Sequence, residues 1–406
     1  MARYLRGQNL KTIKPTPLRE MKTDQPPIPG TDTAITPKAV WEAFYAPRLT
    51  QARRLAGMTK KQVAEGIGVS PAAVGQYETG STRPRPDVLP RLAETLDVPV
   101  QFFAAGRPMA PVDLSMAHFR ALRSTSGAQR DRALVFAEQI WELTHALERR
   151  VQLPLVDLPG FAGGEVHPGT DLPGDPAGAA RELRMIWGLG DGPVRHLTRQ
   201  LEGHGIVVVA PQENRVATKV DAFANAGLPR PLIVLTTNRT DDVYRYRFSG
   251  AHELGHLVLH ATSRGDQQQE READAFAAEF LTPRKSILPL LPSRLDLAQL
   301  ATLSGTWGVS VDSLIYRCRE LGLISDATTS RAYQRLRALR HQPGFAPEPV
   351  AHYPGEQPVM LRQAYELAEQ ETGLTIRKLA HELCWHPNHV RELLGMPDTR
   401  PTLRLV

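Results

Sequence analysis

Cysteine is nearly absent: Cys318 and Cys384 are the two in 406 residues. They are too few and too far apart for a disulfide framework, which fits a reducing compartment. Long apolar runs are missing as well. No stretch approaches the roughly 18 residues of a membrane span, and the N-terminus lacks the apolar core of a secretory signal. A cytoplasmic protein with no membrane partner is expected. Nor is there a large excess of one charge: 49 Lys and Arg against 43 Asp and Glu, net +6, permit a polyanion partner without requiring one. With 41% apolar and 23% charged residues, the chain has an ordinary globular composition that excludes fibrous and collagenous classes, and its length accommodates two or three domains.

What is present is concentrated in residues 248–259, FSGAHELGHLVL. His252 and His256 fall one helical turn apart on one face, a spacing at which two neutral imidazoles chelate a tetrahedral metal ion. Glu253 projects beside them, where a carboxylate can accept a proton from water that the metal has acidified. Ala251, Leu254, Leu257, Val258 and Leu259 make the helix apolar on most sides, so burial is expected, and buried imidazoles and carboxylates are costly without partners. Downstream, residues 269–283 form a second amphipathic helix, with Ala273, Phe276, Ala277, Phe280 and Leu281 on one arc at about 100° per residue. Glu270 lies at the edge of that arc and is the candidate third ligand of a zinc ion. Glu272 falls closer to solvent. Asp274, one turn beyond Glu270, is positioned to orient a ligand through a hydrogen bond. His260 would extend the histidine row, but a fourth protein ligand closes a catalytic site, so it is expected as a satisfied histidine at the helix end.

The pair HELGHLVLH and EREADAFAAEFLTP, with Tyr246, Arg247 and Phe248 just ahead, resembles the ImmA/IrrE family of bacterial metallopeptidases. The resemblance covers residues 180–325 and implies a gluzincin-like site in which His252, His256 and Glu270 hold the metal and Glu253 is catalytic. It further implies that the substrate is a helix-turn-helix repressor, cleaved in stress response or mobile-element control. Two positions depart from the family pattern. Asp274 stands where Asn is common, and Thr282 precedes Pro283 where Met is more usual; neither is an expected ligand.

Nearer the N-terminus, residues 49–103 read as short helices with tight punctuation. Gly57 stops a first helix, Thr59 caps a second, Gly68 and Val69 turn the chain, and Ser70 caps a third with Pro71 at its favoured first position. Val63, Ala64, Ile67, Val69, Val74 and Tyr77 supply a small core. The run MTKKQVAEGIGVSPAAVGQYETGSTRP resembles the Cro/phage-repressor (XRE) class of DNA-binding domain. That reading puts residues 71–79 in the major groove of double-stranded DNA, with Lys60, Gln62, Ser70, Ala72, Ala73, Gln76 and Arg83 as candidate contacts. Lys61 and Arg85 add charge. Pro71, Ala72 and Ala73 carry no hydrogen-bonding side chain, so thymine methyl contacts and Gln76 would have to carry direct readout.

The expected fold class is mainly α with a small β-sheet (α+β). The expected organisation is a disordered basic tail over 1–40, the all-α helix-turn-helix domain over 41–106, and a linker and long helical spacer over 107–152. A Pro/Gly-rich linker over 153–178, a zincin-like metallopeptidase domain over 179–325 and a C-terminal helical module over 326–406 follow. Residues 206–210 and 232–236 are expected strands, 220–224 a weaker third, and the sheet is expected to offer an edge on which an extended substrate adds as a strand. Residues 128–151 make a helix about 35 Å long at 1.5 Å per residue, expected as a spacer or a homodimerising surface. That separation argues that the bond cut lies in another protein, a repressor, and not in this chain's own DNA-binding domain. Residues 295–321 have a second helix-turn-helix rhythm, read as cover for the metal domain, and residues 374–395 a third. Within the last, His381 and His386 resemble a metal motif, but five residues put the imidazoles about 140° apart and Pro387 ends the segment. Cys384 is expected in a small core. The alternative to a DNA-binding zinc endopeptidase is a transcription factor whose metal domain senses a ligand and does not cleave.

Overall fold

The computed structural model describes residues 36–109, 117–118, 127–161, 172–211, 222–235, 242–260, 267–342 and 344–396. The tail expected over 1–40 lies outside the described residues as far as residue 35. From Thr36 onward the chain is ordered into helices: α1 (Pro37–Glu42), α2 (Ala46–Leu55), α3 (Lys60–Ile67), α4 (Pro71–Thr79) and α5 (Leu89–Thr95). A capping box between Thr59 and Gln62 opens α3, and Gly68 ends it at φ 70°, a left-handed turn that a Cβ would strain. Ser70 then caps α4. Val63, Ala64, Ile67 and Val74 are buried, while Val69 and Tyr77 are half-buried at the margin of this core.

The long helix α6 (Gly127–Glu148) departs from the expected spacer. It is buried along most of its length, from Ala133 to Leu147, because α2 covers one side and the C-terminal helices cover another. Its apolar positions are satisfied within the chain, so it is neither an exposed rod nor an open dimerising stripe. A buried ionic cluster locks it in place. Arg48 of α2 ion-pairs with Glu142 and donates to Gln51 Oε1 at 2.6 Å; Gln51 in turn donates to Glu138 at 3.0 Å. Arg107 reaches the other Glu142 oxygen at 3.0 Å and the Leu383 carbonyl at 2.6 Å. Three parts of the chain meet on one carboxylate.

A four-stranded sheet follows, in the order β1 (Ala117–His118), β3 (Ala222–Asn225), β4 (Leu232–Leu235), β2 (Val207–Val209). Strands β2 and β4 are parallel; β3 is antiparallel to both β4 and β1. Of the third strand expected over 220–224, residues 220 and 221 lie outside the described residues, and residues 222–225 form β3. Side chains alternate across the sheet, as the period of two requires. Val207, Val209, Phe223, Leu232 and Val234 join the core that holds α1 to α6. Val208, Ala224, Ile233 and Leu235 join the core that holds the metal helices. A sheet buried on both faces explains why its strands read as unbroken apolar runs.

The second core contains α7 (Pro176–Ile186), α8 (Leu197–Gly203), α9 (Val243–Leu259), α10 (Gln267–Leu281) and α11 (Arg284–Ile287). It also contains α12 (Leu297–Trp307), α13 (Val311–Glu320) and α14 (Asp326–Leu339). The last three helices, α15 (Met360–Thr372), α16 (Ile376–Leu383) and α17 (Pro387–Leu393), return to the first core beside α6. The module expected over 326–406 is therefore divided between the two cores. Likewise the expected linker over 153–178 is anchored: Leu153 sits in the first core, Leu158 and Phe161 in the second. Among the described residues no helix is long and apolar enough to cross a membrane.

Candidate metal centre and DNA-facing surface

Two helices build the centre. Asp242 caps α9 by accepting the Tyr244 and Arg245 amides, and α9 runs unbroken through the HELGH stretch, with Glu253 and His256 buried and His252 half-buried. Helix α10 crosses close by because Gly255 has no side chain: a Cβ there would meet Phe276 at 3.1 Å. That approach brings Glu270 over the histidines. His252 Nε2 and His256 Nε2 are 3.1 Å apart, and the Glu270 oxygens lie 3.4 and 3.5 Å from them. Ligands of a tetrahedral zinc with bonds of about 2.0–2.1 Å are separated by about 3.3 Å. Among the described residues these three form the one His/Cys/Asp/Glu group close enough to share a metal ion, all ligand atoms lying within 4.8 Å of one another.

The ring tautomers follow from the outer partners. Asp274 Oδ1 is 2.8 Å from His252 Nδ1, so Nδ1–H donates outward and the Nε2 lone pair faces the centre. Glu272 Oε2 is 2.8 Å from His260 Nε2, and His260 Nδ1 is 3.2 Å from His256 Nδ1. With His260 Nε2–H donating to Glu272, its Nδ1 accepts from His256 Nδ1–H, and the second Nε2 lone pair also faces inward. Two lone pairs and a carboxylate converging at this distance repel unless a cation lies among them, so the donor set fits zinc. The His256–His260–Glu272 chain was not anticipated from the sequence. Its one signal is His260 at i+4 from His256; Glu272 does lie closer to solvent than Glu270, and from that half-exposed position it reaches His260 where α9 and α10 cross.

Glu253 is buried beside the centre. The Ala224 amide of β3 donates to it, and its Oε2 has no hydrogen-bond partner among the described residues. Burial pushes its pKa up to about 8, helped by Glu270 and opposed by His252 and the Ala224 amide. For His252, burial lowers the pKa, but the bonds to Asp274 and Glu270 and the charge of Glu253 outweigh it and carry it up to about 10. The same neighbours that suit a cation thus hold a proton. Zinc must displace that proton, since a ligating imidazole is neutral. Zinc affinity should therefore fall as pH falls, about tenfold per unit for one displaced proton, as chelator competition at pH 6, 7 and 8 would read. His256→Ala should abolish stoichiometric zinc, and a pH-independent affinity or full zinc content in that variant would overturn the ligand set.

Arg247, immediately before Phe248, has a structural place. Its guanidinium is buried, ion-pairs with Glu356 and donates to the Gly308 carbonyl at 2.8 Å and the Val194 carbonyl at 2.7 Å. The outer edge of β3, nearest Glu253 through Ala224, is already paired: His118 opposes Ala224 and Ala117 opposes Asn225. The open edge expected for substrate is thus covered by β1. The second histidine pair does not form a centre. Left-handed Cys384 ends α16 after His381, His386 occupies the N-cap position of α17 without a capping side-chain bond, and Glu382 pairs with Arg150 at 2.5 Å and Arg149 at 3.5 Å. Pro387 opens a helix here instead of ending one.

On the candidate DNA-binding face, Lys60, Gln62, Ser70, Ala72, Gln76 and Arg83 are exposed and Ala73 is half-exposed. Several are partly engaged already. Lys60 lies 3.4 Å from Glu78, the Gln62 side-chain Oε1 accepts the Thr59 amide, and the Ser70 hydroxyl accepts the Ala73 amide. Arg83 donates to the Glu42 carbonyl and stacks over Trp41. The face is open, but its hydrogen-bonding side chains are few.

Comparison with known families gives two matches. Residues 201–319 match the family model described as IrrE N-terminal-like domain, and residues 49–103 match the helix-turn-helix model. No curated protein matches the chain. The first match spans α9 and α10 with strands β2 to β4, and the second runs from within α2 past α5. A single chain therefore carries an XRE-type helix-turn-helix domain and an IrrE-like, metallopeptidase-like domain.

Proposed function

We propose that this protein is a DNA-binding regulator whose zinc endopeptidase domain cleaves a helix-turn-helix repressor in stress or mobile-element control. The observation that carries the reading is the convergence of His252, His256 and Glu270 with the buried, unsaturated carboxylate of Glu253. Zinc held by the three ligands would polarise a peptide carbonyl and acidify a water toward neutrality. Glu253 accepts the proton of the attacking water and returns it to the amide nitrogen as the C–N bond breaks. Positive charge at the centre acts on Glu253 as His252 does, favouring the carboxylate that a base requires. Asp274 and the His260–Glu272 pair hold the two imidazoles in the ligating tautomer.

The bond cut is assigned to another protein, for a reason that replaces the spacer argument. The chain's own DNA-binding helices are tied to α6 through Arg48, Glu142 and Arg107, so bringing the Gly68 turn to Glu253 would tear a buried ionic cluster apart. The same cluster bears on how DNA binding is tested. A fragment over 40–110 would leave Arg48 and Gln51 without Glu142 and Glu138, so the whole chain is the object to use. Its affinity for duplex DNA should fall steeply with salt, and no mobility shift at low salt would count against the DNA reading.

One observation favours the non-cleaving sensor. The pairing of Ala117–His118 on β3 covers the edge next to Glu253, so an incoming peptide strand must add outside β1 or replace it. A repressor left intact by zinc-loaded wild-type protein would favour that alternative.

A further inference from the structure

We propose that the C-terminal helices α16 and α17 are a second duplex-DNA-reading unit, so that one chain contacts DNA at two places. The observation is a register-matched repeat of the first helix-turn-helix. Thr375 caps α16 as Thr59 caps α3, each accepting the amide three residues on at 3.2 Å. Both helices are eight residues long. Cys384 takes the left-handed turn at φ 52° where Gly68 takes it at 70°, a conformation that is uncommon for a residue with a Cβ. The following amide bonds back to the same place in each: Trp385 to the Ala380 carbonyl at 2.8 Å, Val69 to the Ala64 carbonyl at 3.0 Å. His386 and Pro387 then start the next helix where Ser70 and Pro71 do. At the same offset Leu379, Ala380, Leu383 and Val390 are buried like Val63, Ala64, Ile67 and Val74.

Helix-turn-helix geometry alone does not make a reader, as α12 and α13 show. Their turn at Gly308 has the same left-handed form and Ser310 caps α13. Yet Arg247 packs against Gly308, and Val311, Leu314 and Ile315 bury the second helix in the metal-domain core. In α16 and α17 the outward positions stay open instead. Arg377 and Lys378 are exposed where Lys61 and Gln62 are, His381 replaces the carboxylate of Glu65, and Asn388 is exposed where Ala72 is. His389 is held at 3.0 Å from Gln139 of α6, which anchors α17 by its inner side. Cations flank the face, and an asparagine at its centre can bond an adenine edge with two hydrogen bonds. The first unit lacks such a side chain at Ala72 and Ala73. The second supplies it.

Both units rest against α6, and His386 lies 3.9 Å from Asp97 at the end of the first, so the two belong to one folded body.

Zinc-loaded full-length protein should be used to select duplexes from a random pool, followed by hydroxyl-radical footprinting. Wild type should protect two separated segments. Asn388→Ala combined with Arg377→Ala and Lys378→Ala should lose one segment, weaken binding about 5- to 150-fold and reduce the salt slope by about two, while Ala72→Asp should lose the other. Unchanged zinc content and unfolding midpoint would show that the variants fold. A triple variant that folds and keeps the wild-type footprint, affinity and salt slope would overturn the inference and leave this face to a protein partner. If Ala72→Asp alone abolishes all binding, the inference fails while the first unit stands. Selection of no duplex at all by wild type would defeat both.

Discussion

Glu253→Gln should keep one zinc per chain and lose cleavage of the repressor by at least about 10²- to 10⁴-fold, the usual contribution of a positioned general base. The reason is the division of labour around the centre. His252, His256 and Glu270 lie close enough to share a metal ion, whereas Glu253 meets β3 through the Ala224 amide and its second oxygen has no hydrogen-bond partner among the described residues. The amide side chain of glutamine fits the same space but cannot take the proton. Purified chain with zinc would be incubated with proteins encoded beside its gene and the products read by mass spectrometry. Equal cleavage by wild type and variant would remove Glu253 from the chemistry. Mixing tagged Glu253→Gln protein with untagged wild type adds a second readout. The tagged chain should stay intact, and a tagged fragment ending between residues 60 and 112 would make the chain its own substrate.

Glu142→Ala should cost about 3–5 kcal/mol, the effect of removing one partner from a buried ion pair. Arg48 and Arg107 are both buried and share this one carboxylate. Burial and the charge of Arg48 already bring the Arg107 pKa down to about 10, with Glu142 acting the other way. Without Glu142, two guanidinium groups face each other in a low-dielectric space beside Gln51, the Cys384 thiol, the Phe102 ring and backbone carbonyls. Urea unfolding followed by far-UV circular dichroism should show the earliest transition moving to lower denaturant. A loss below about 1 kcal/mol would mean that water reaches the cluster and that the DNA-binding helices are coupled to the rest more loosely than their packing implies. Replacing all three residues by apolar ones of similar size should restore much of the stability, since the charges cost more to bury than they return.

Local chemistry made much of this protein legible in its sequence. The helix-turn-helix was readable because its determinants lie within a few residues of one another: a Thr cap, a left-handed Gly, a Ser cap followed by Pro. The metal helix was readable for the same reason, as i, i+4 spacing fixes which face two side chains share whatever surrounds them. Glu270 was found by helical phase, because burial acts on a whole arc. What escaped were relations between segments far apart in the chain. Glu272 keeps the solvent-side place its phase on α10 predicts, but its bond to His260 depends on the crossing of α9, which Gly255 makes possible. The long helix had the composition of a spacer, and nothing local could say that Glu142 would be claimed by Arg48 from one side and Arg107 from the other. The two residues of β1 carry no pattern of their own, so their pairing on the edge beside Glu253 was invisible. Periodicity, caps and spacing are properties of neighbours in sequence and were set by the residues alone. Which faces meet, which carboxylate is shared and which edge is covered depend on burial and charge balance across the folded chain, and only the tertiary structure decided them.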